Sequence, residues 1–180
     1  MIADIRLPGW TAGLARPAAP AADLDCMSFV LELARGNVSL ATGGPFAAAL
    51  RDDATGAVAA IGVNLVLPQR CAVLHAEVVA LLMSAGKGPE PAGMTLFSSC
   101  EPCIMCMGAL HWSGVRRIVY SALREDAEAI GFSEGAGVVE LKAQMTARGV
   151  VFDPGLLRAQ GIDILRAYKA RGAVIYGPGK

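Results

Sequence analysis

A mixed α/β sandwich is the fold class this sequence predicts, and three observations carry the prediction. From His75 onward, apolar segments of helical period alternate with short strand-like runs. An apolar content of 54% over 180 residues suffices for one sizeable core. No internal repeat divides the chain.

Residues 1–22 are rich in Ala and Pro, lack a hydrophobic period, and are expected to form an arm in which Trp10 packs locally. Over 25–35 the apolar Met27, Val30, Leu31 and Ala34 recur at helical spacing, and Gly36-Asn37 offers a stop. The runs 46–50 and 57–67 flank Asp52-Asp53-Ala54-Thr55-Gly56, a turn composition, so a hairpin is expected. Their alanines give only moderate strand propensity. An apolar helix opens at His75, runs to about Ala85 and stops at Gly86, and 94–98 reads as the next strand.

Pro102 suits the first turn of a further helix, where its missing N–H has no intrahelical partner. That helix should reach Trp112 before Gly114. A strand over 115–120, a helix over 138–148, a short strand over 150–152 and a terminal helix over 162–171 complete the pattern.

Sixteen basic and 16 acidic residues give zero net charge, which provides no long-range field for nucleic acid or an anionic membrane. Lys169, Arg171 and Lys180 are too sparse to form a basic patch. A small, weakly charged ligand is the expected partner. No apolar run approaches the roughly 18 residues of a membrane span, and Asp4, Arg6 and Arg16 interrupt the stretch where a signal peptide is apolar, so a cytoplasmic location is expected.

The five cysteines are Cys26, Cys71, Cys100, Cys103 and Cys106, and three of them crowd one short stretch, as metal ligands do. Cys26 and Cys71 read as small buried apolar residues. His75-Ala76-Glu77 and the downstream Pro102-Cys103-Ile104-Met105-Cys106 supply one imidazole and two thiols for zinc, with a carboxylate left over. Zinc with three protein ligands keeps a position open for water.

Cys103 and Cys106 share a helix face near its N-terminus, where thiolates are favoured, and His75 at a neighbouring helix start completes the set. Zinc lowers the pKa of its water toward about 7, giving a hydroxide nucleophile, and Glu77 is free to shuttle the proton. H-x-E followed by P-C-x-x-C is the signature of zinc-dependent nucleobase deaminases.

The stretch from Ser98 to Trp112, Ser-Ser-Cys-Glu-Pro-Cys-Ile-Met-Cys-Met-Gly-Ala-Leu-His-Trp, resembles guanine deaminases of the cytidine deaminase superfamily. Gly43-Gly44-Pro45-Phe46 and Glu128-Ala129-Ile130-Gly131-Phe132-Ser133-Glu134 resemble the same branch, and related tRNA adenosine deaminases share much of the metal stretch. The resemblance implies a three-layer sandwich with a five-stranded mixed sheet and helices on both faces. It places one catalytic domain over 23–180 behind the 1–22 arm.

It further implies hydrolysis of guanine to xanthine and ammonia in purine catabolism, with Zn2+ on His75, Cys103 and Cys106. Glu77 and Glu134 are then the catalytic acids, and Asn64, Phe46, the backbone of Ala76 and Tyr176 bind the purine. A homodimer is implied, with the segment 154–180 crossing to the partner subunit. Ser133 stands where the family often has Asp, and Glu rather than Asp stands at 134.

Other readings of these residues stand beside that one. The deaminated compound could be tRNA adenosine, cytosine, guanosine or an amino-triazine. Cys100 could act as a fourth ligand and close the site into a structural-zinc binding module, a reading that leaves Glu77 without a task. Phe46 reads equally as a core strand residue, Asn64 as a local backbone partner and Glu134 as a solvated loop acid. His111 lies about 12 Å along the helix from Cys103 and reads as structural. Trp112 is expected in core or subunit packing, and Met105 and Met107 as filler.

Overall fold

A computed structural model describes residues 5–86, 88 and 90–177, so Asp4 and Lys180 lie outside the described residues. The elements follow as α1 (Asp23–Ser39), β1 (Ala47–Asp52), β2 (Val58–Val63), α2 (Ala76–Ser84), β3 (Met94–Cys100) and α3 (Ile104–Ser113). After them come β4 (Arg117–Ala122), α4 (Arg124–Ile130), α5 (Val138–Ala147), β5 (Val151–Pro154) and α6 (Arg158–Ala170). Five strands form one mixed sheet in the order β2-β1-β3-β4-β5. The β1 strand is antiparallel to β2 and β3, whereas β3, β4 and β5 run parallel. No helix among the described residues is long and apolar enough to cross a membrane.

Both faces of the sheet are covered, which is why its central strands are apolar throughout rather than alternating. Ala47, Ala49, Phe97 and Val119 face a core shared with α1 and α6. Their neighbours Ala48, Leu50, Leu96, Ile118 and Tyr120 face a second core with α2, α3 and α5. Small residues hold the sheet close to α2. A Cβ on Gly62 of β2 would lie 2.1 Å from the Ala76 carbonyl and 2.5 Å from the Ala80 nitrogen.

Several boundaries differ from the sequence expectation. The α1 helix runs through Gly36-Asn37 instead of stopping there. Gly36 leaves room for the Trp10 ring, 2.8 Å from where a Cβ would stand, and the buried Asn37 amide donates to the carbonyls of Gly44 and Asn64 at 2.8 and 3.0 Å. These tertiary contacts outweigh the local stop signal. The arm is not wholly extended, since Gly9–Gly13 forms a 3₁₀ turn and Trp10 donates to Thr42 Oγ1 at 3.0 Å.

Pro102 stands ahead of α3, whose N-cap is Cys103, so the expected Pro-initiated first turn begins later. The α4 helix was not expected, because Ala127 and Ile130 are its only buried residues. Asp126, which accepts the Leu123 N–H at 2.8 Å, and Gly131 at φ 111° bound it. Trp112, expected in core or subunit packing, lies outside the core, 89% exposed on α3.

Candidate active site

The site gathers at one end of the sheet. Phe46 precedes β1, Asn64 follows β2, and the Asn64 N–H donates to the Phe46 carbonyl at 3.0 Å. The β3 strand ends beside them, since Ala48 pairs with Ser98. Beyond β3 lies Cys103, and α2 brings in His75 as its N-cap. Two helix N-termini therefore converge, each presenting unsatisfied N–H groups that favour negative charge.

His75 Nδ1 lies 3.4 Å from Cys103 Sγ, and the ligand atoms of His75, Cys103 and Cys106 all lie within 4.8 Å of one another. Tetrahedral zinc with bonds of about 2.0–2.3 Å separates its nitrogen and sulfur ligands by roughly 3.5–3.8 Å. The donor set, one imidazole and two thiols at this spacing, fits zinc. Cys100 stands apart, donating to the Leu123 carbonyl at 3.6 Å, outside the cluster that His75, Cys103 and Cys106 form. The fourth-ligand reading of Cys100 therefore loses its support.

Cys103 falls to about 4 because the Cys106 thiol and His75 bond to it, against a burial penalty. Cys106 rises for the same reason, its proton being shared toward Cys103, with burial adding to the shift. A metal among the three ligands replaces that shared proton.

Glu77 is 5% exposed, with its Oε1 accepting from Ser98 Oγ at 2.9 Å and its Oε2 from the Cys106 thiol at 3.3 Å. Burial, then the negative charge of Cys103, raises its pKa. Glu134 is likewise buried, and burial followed by the charges of Cys103 and Glu77 lifts it to about 8. It sits opposite the metal helix, its carbonyl accepting the Ile104 N–H at 3.0 Å. Two carboxyls are thus biased toward their neutral forms beside a metal-ligand set, which is how acid–base catalysts are tuned.

A cavity of about 440 Å³ opens against His75, Glu77, Cys103 and Glu134. Phe46, Phe132 and Tyr176 line its wall, with Phe132 edge-on to Phe46 at 5.0 Å and to Tyr176 at 5.1 Å between ring centroids. Tyr176 and Gly177 reach it from the C-terminal tail of the same chain. Met105, expected as filler, also lines it, while Met107 is core.

Asn64 is fully buried behind the wall. Its Oδ1 accepts the Val66 N–H at 3.2 Å, but among the described residues its Nδ2 has no partner, and neither has the buried Tyr176 hydroxyl. Both groups converge at Gly44, where a Cβ would lie 1.9 Å from Tyr176 Oη and 3.2 Å from Asn64 Oδ1. Only a glycine fits at that point. Ala76 is core-packed between two wall residues, so what it can offer the cavity is backbone.

Four residues were given no part in the site by the sequence alone. Ser98 holds Glu77, Asn37 fixes the backbone of Gly44 and Asn64, Phe132 walls the cavity and Glu101 lines it. Phe132 carried a signal in its position two before Glu134. Ser98 and Asn37 carried none, since their partners come from other elements. His111 pairs on the surface with Arg148 at 2.8 Å, away from the metal ligands.

A His-Cys-Cys ligand set at two helix N-termini, beside a buried carboxyl on a mixed five-stranded sheet, defines a zinc-binding deaminase, a hydrolase. Residues 21–122 match the cytidine and deoxycytidylate deaminase zinc-binding region, and the chain belongs to that family. A guanine deaminase of Bacillus subtilis is 33% identical over 122 residues, spanning 67% of this chain and 77% of that protein. The solved structure of guanine deaminase from Nitrosomonas europaea aligns with a TM-score of 0.80 and 39% identity over 92% of this chain and 95% of that one. The structure of NE0047 in complex with 2,6-diaminopurine aligns with a TM-score of 0.82 and 40% identity over 96% and 95% of the two chains.

Proposed function

We infer that the chain hydrolyses guanine to xanthine and ammonia. The observation that carries this reading is the cavity itself: an aromatic-walled space lined by His75, Cys103, Glu77 and Glu134. Two buried donors without partners among the described residues, Asn64 Nδ2 and Tyr176 Oη, stand behind it. A purine carbonyl or ring nitrogen satisfies such donors, and leaving them unpaired is costly. The similarity to guanine deaminases and to a structure holding 2,6-diaminopurine supports the same choice.

His75, Cys103 and Cys106 would hold the zinc. When bound, zinc supplies a water acidified toward neutrality and with it the nucleophile. Glu77, held by Ser98, would take a proton from the attacking water and deliver it to the ring nitrogen next to the attacked carbon. Glu134, whose pKa burial lifts to about 8 in the metal-free protein, is placed to donate to the departing amino group and to take back the proton of the new carbon-bound hydroxyl, so that ammonia leaves and the ring carbon keeps the oxygen as a carbonyl. Phe46, Phe132 and Tyr176 exclude water around the ring.

Guanosine and tRNA adenosine carry a sugar that needs added room, and the tail residues Tyr176 and Gly177 take up part of the cavity wall. Purine breakdown in the cytoplasm by a homodimer is the setting the family resemblance implies. The test is ammonia release from guanine, guanosine, adenine, cytosine, an amino-triazine and an anticodon stem-loop. Guanine should turn over, and inert guanine would end the assignment. Glu77→Ala should keep one zinc per chain while losing about 10²-fold or more of turnover.

A further inference from the structure

Glu101 lies two residues before Cys103, and the chemistry above leaves it unused. Its side chain is 11% exposed and fully engaged. Oε1 accepts from Lys142 Nζ at 2.8 Å and from the Tyr120 hydroxyl at 3.2 Å, while Oε2 accepts the Arg124 N–H at 3.3 Å. Lys142 also bonds to the Tyr120 hydroxyl and lies over the Tyr120 and Phe152 rings, 5.0 and 5.3 Å from their centroids.

The donors come from informative places. Arg124 opens α4, which ends just before the 131–137 segment that carries Glu134, and Lys142 sits on α5, which begins just after it. One carboxylate at the edge of the metal loop is therefore fastened to the helices on both sides of the Glu134 segment. That segment needs an external hold. Gly131, Gly135 and Gly137 adopt φ values of 111°, 84° and 83°, the permissive backbone of a chain that does not stiffen itself. The Ile104 N–H bonded to the Glu134 carbonyl adds a third tie across the same gap.

We propose that Glu101, with Lys142 as its counter-ion, is a positioning residue that keeps the Glu134 segment in register with the zinc-ligating loop. Charge-assisted bonds to a shielded carboxylate are strong and directional, and removing the cation leaves a partly buried charge unpaired. The inference rests on the reading that Glu134 acts on the substrate.

The experiment compares Lys142→Met in the wild-type and Glu134→Gln backgrounds, measuring kcat and KM for guanine, zinc per chain and amide exchange at Ile104. A tether predicts about a tenfold loss of kcat in the wild-type background and under about twofold in Glu134→Gln, because coupled residues are not additive. Zinc content should hold, exchange at Ile104 in the metal-free protein should quicken about tenfold, and Lys142→Arg should restore the rate. Unchanged turnover, unchanged exchange, or an equal fold loss in both backgrounds overturns the proposal. Should Lys142→Met not fold, Tyr120→Phe carries the same comparison. A fully active Glu134→Gln enzyme would remove Glu134 from the chemistry and the tether with it, whereas an additive loss with an impaired Glu134→Gln removes the tether alone.

Discussion

Gly62→Ala should damage catalysis without touching any residue of the cavity. The added Cβ would meet the Ala76 carbonyl at 2.1 Å and the Ala80 nitrogen at 2.5 Å, both backbone atoms of α2 that no rotamer change can move. Restoring an ordinary contact of about 3.4 Å to the Ala76 carbonyl requires a retreat of about 1.3 Å, from 3.4 less 2.1. Overpacking of this kind costs about 1–3 kcal/mol. His75 and Glu77 flank Ala76 on the same turn, so the retreat carries them away from Cys103 and Ser98. Misplacing catalytic groups by about 1 Å can cost about 10²-fold in rate. Urea unfolding, zinc per chain and guanine turnover read the three effects. Gly108→Ala is the control, since a Cβ there meets nothing within 4 Å. A Gly62→Ala protein of unchanged stability and turnover would refute the close seating of α2 on β2.

Three further outcomes follow from the same geometry. Tyr176→Phe deletes a buried hydroxyl that has no partner among the described residues, so the free protein should be equally stable or firmer by about 1 kcal/mol, while KM for guanine rises. Equal KM values would detach the hydroxyl from substrate. Ser98→Ala should lower kcat about tenfold with KM little changed, and Ser98→Thr should recover it, because the hydroxyl acts only through Glu77. Glu134 rises from 4.5 to about 8, so the folded metal-free protein holds a proton that the unfolded chain has lost between those values. Its contribution to stability is complete below pH 4.5 and disappears as pH climbs through about 8. The slope is up to about 1.4 kcal/mol per pH unit, and Glu134→Gln should flatten that part of the unfolding profile. Parallel profiles for the two proteins would exclude the shift.

The metal ligands were legible because their geometry is local: a cap position and a three-residue spacing place thiols on one face whatever the rest of the chain does. The strand and helix order was legible from periodicity for the same reason. Asn37 and Ser98 were not, since their value lies in partners 27 and 21 residues away, brought close only by the folded sheet. Gly36-Asn37 misled because a stop signal is weak beside the packing of Trp10 and a buried amide. Trp112 stands outside the core, one of its two expected places, since helical spacing alone does not say which face of α3 the chain itself covers. Phe46 packs against the core and also lines the cavity, so periodicity could not tell the two places apart.

The β3 strand ends at Cys100 and Cys103 already caps α3, so Glu101 and Pro102 alone bridge sheet and metal helix. Such a connector has no slack. One inserted residue would turn the helix through about 100° and slide it about 1.5 Å, sweeping Cys106 off the face that meets His75. A deletion would do the reverse. Length, more than identity, is thus the property this junction must inherit: substitutions at 101 and 102 can be weighed by their contacts, but an indel there abolishes the metal site at once. The exposed hairpin tip at Ala54 and Thr55 is subject to no such constraint.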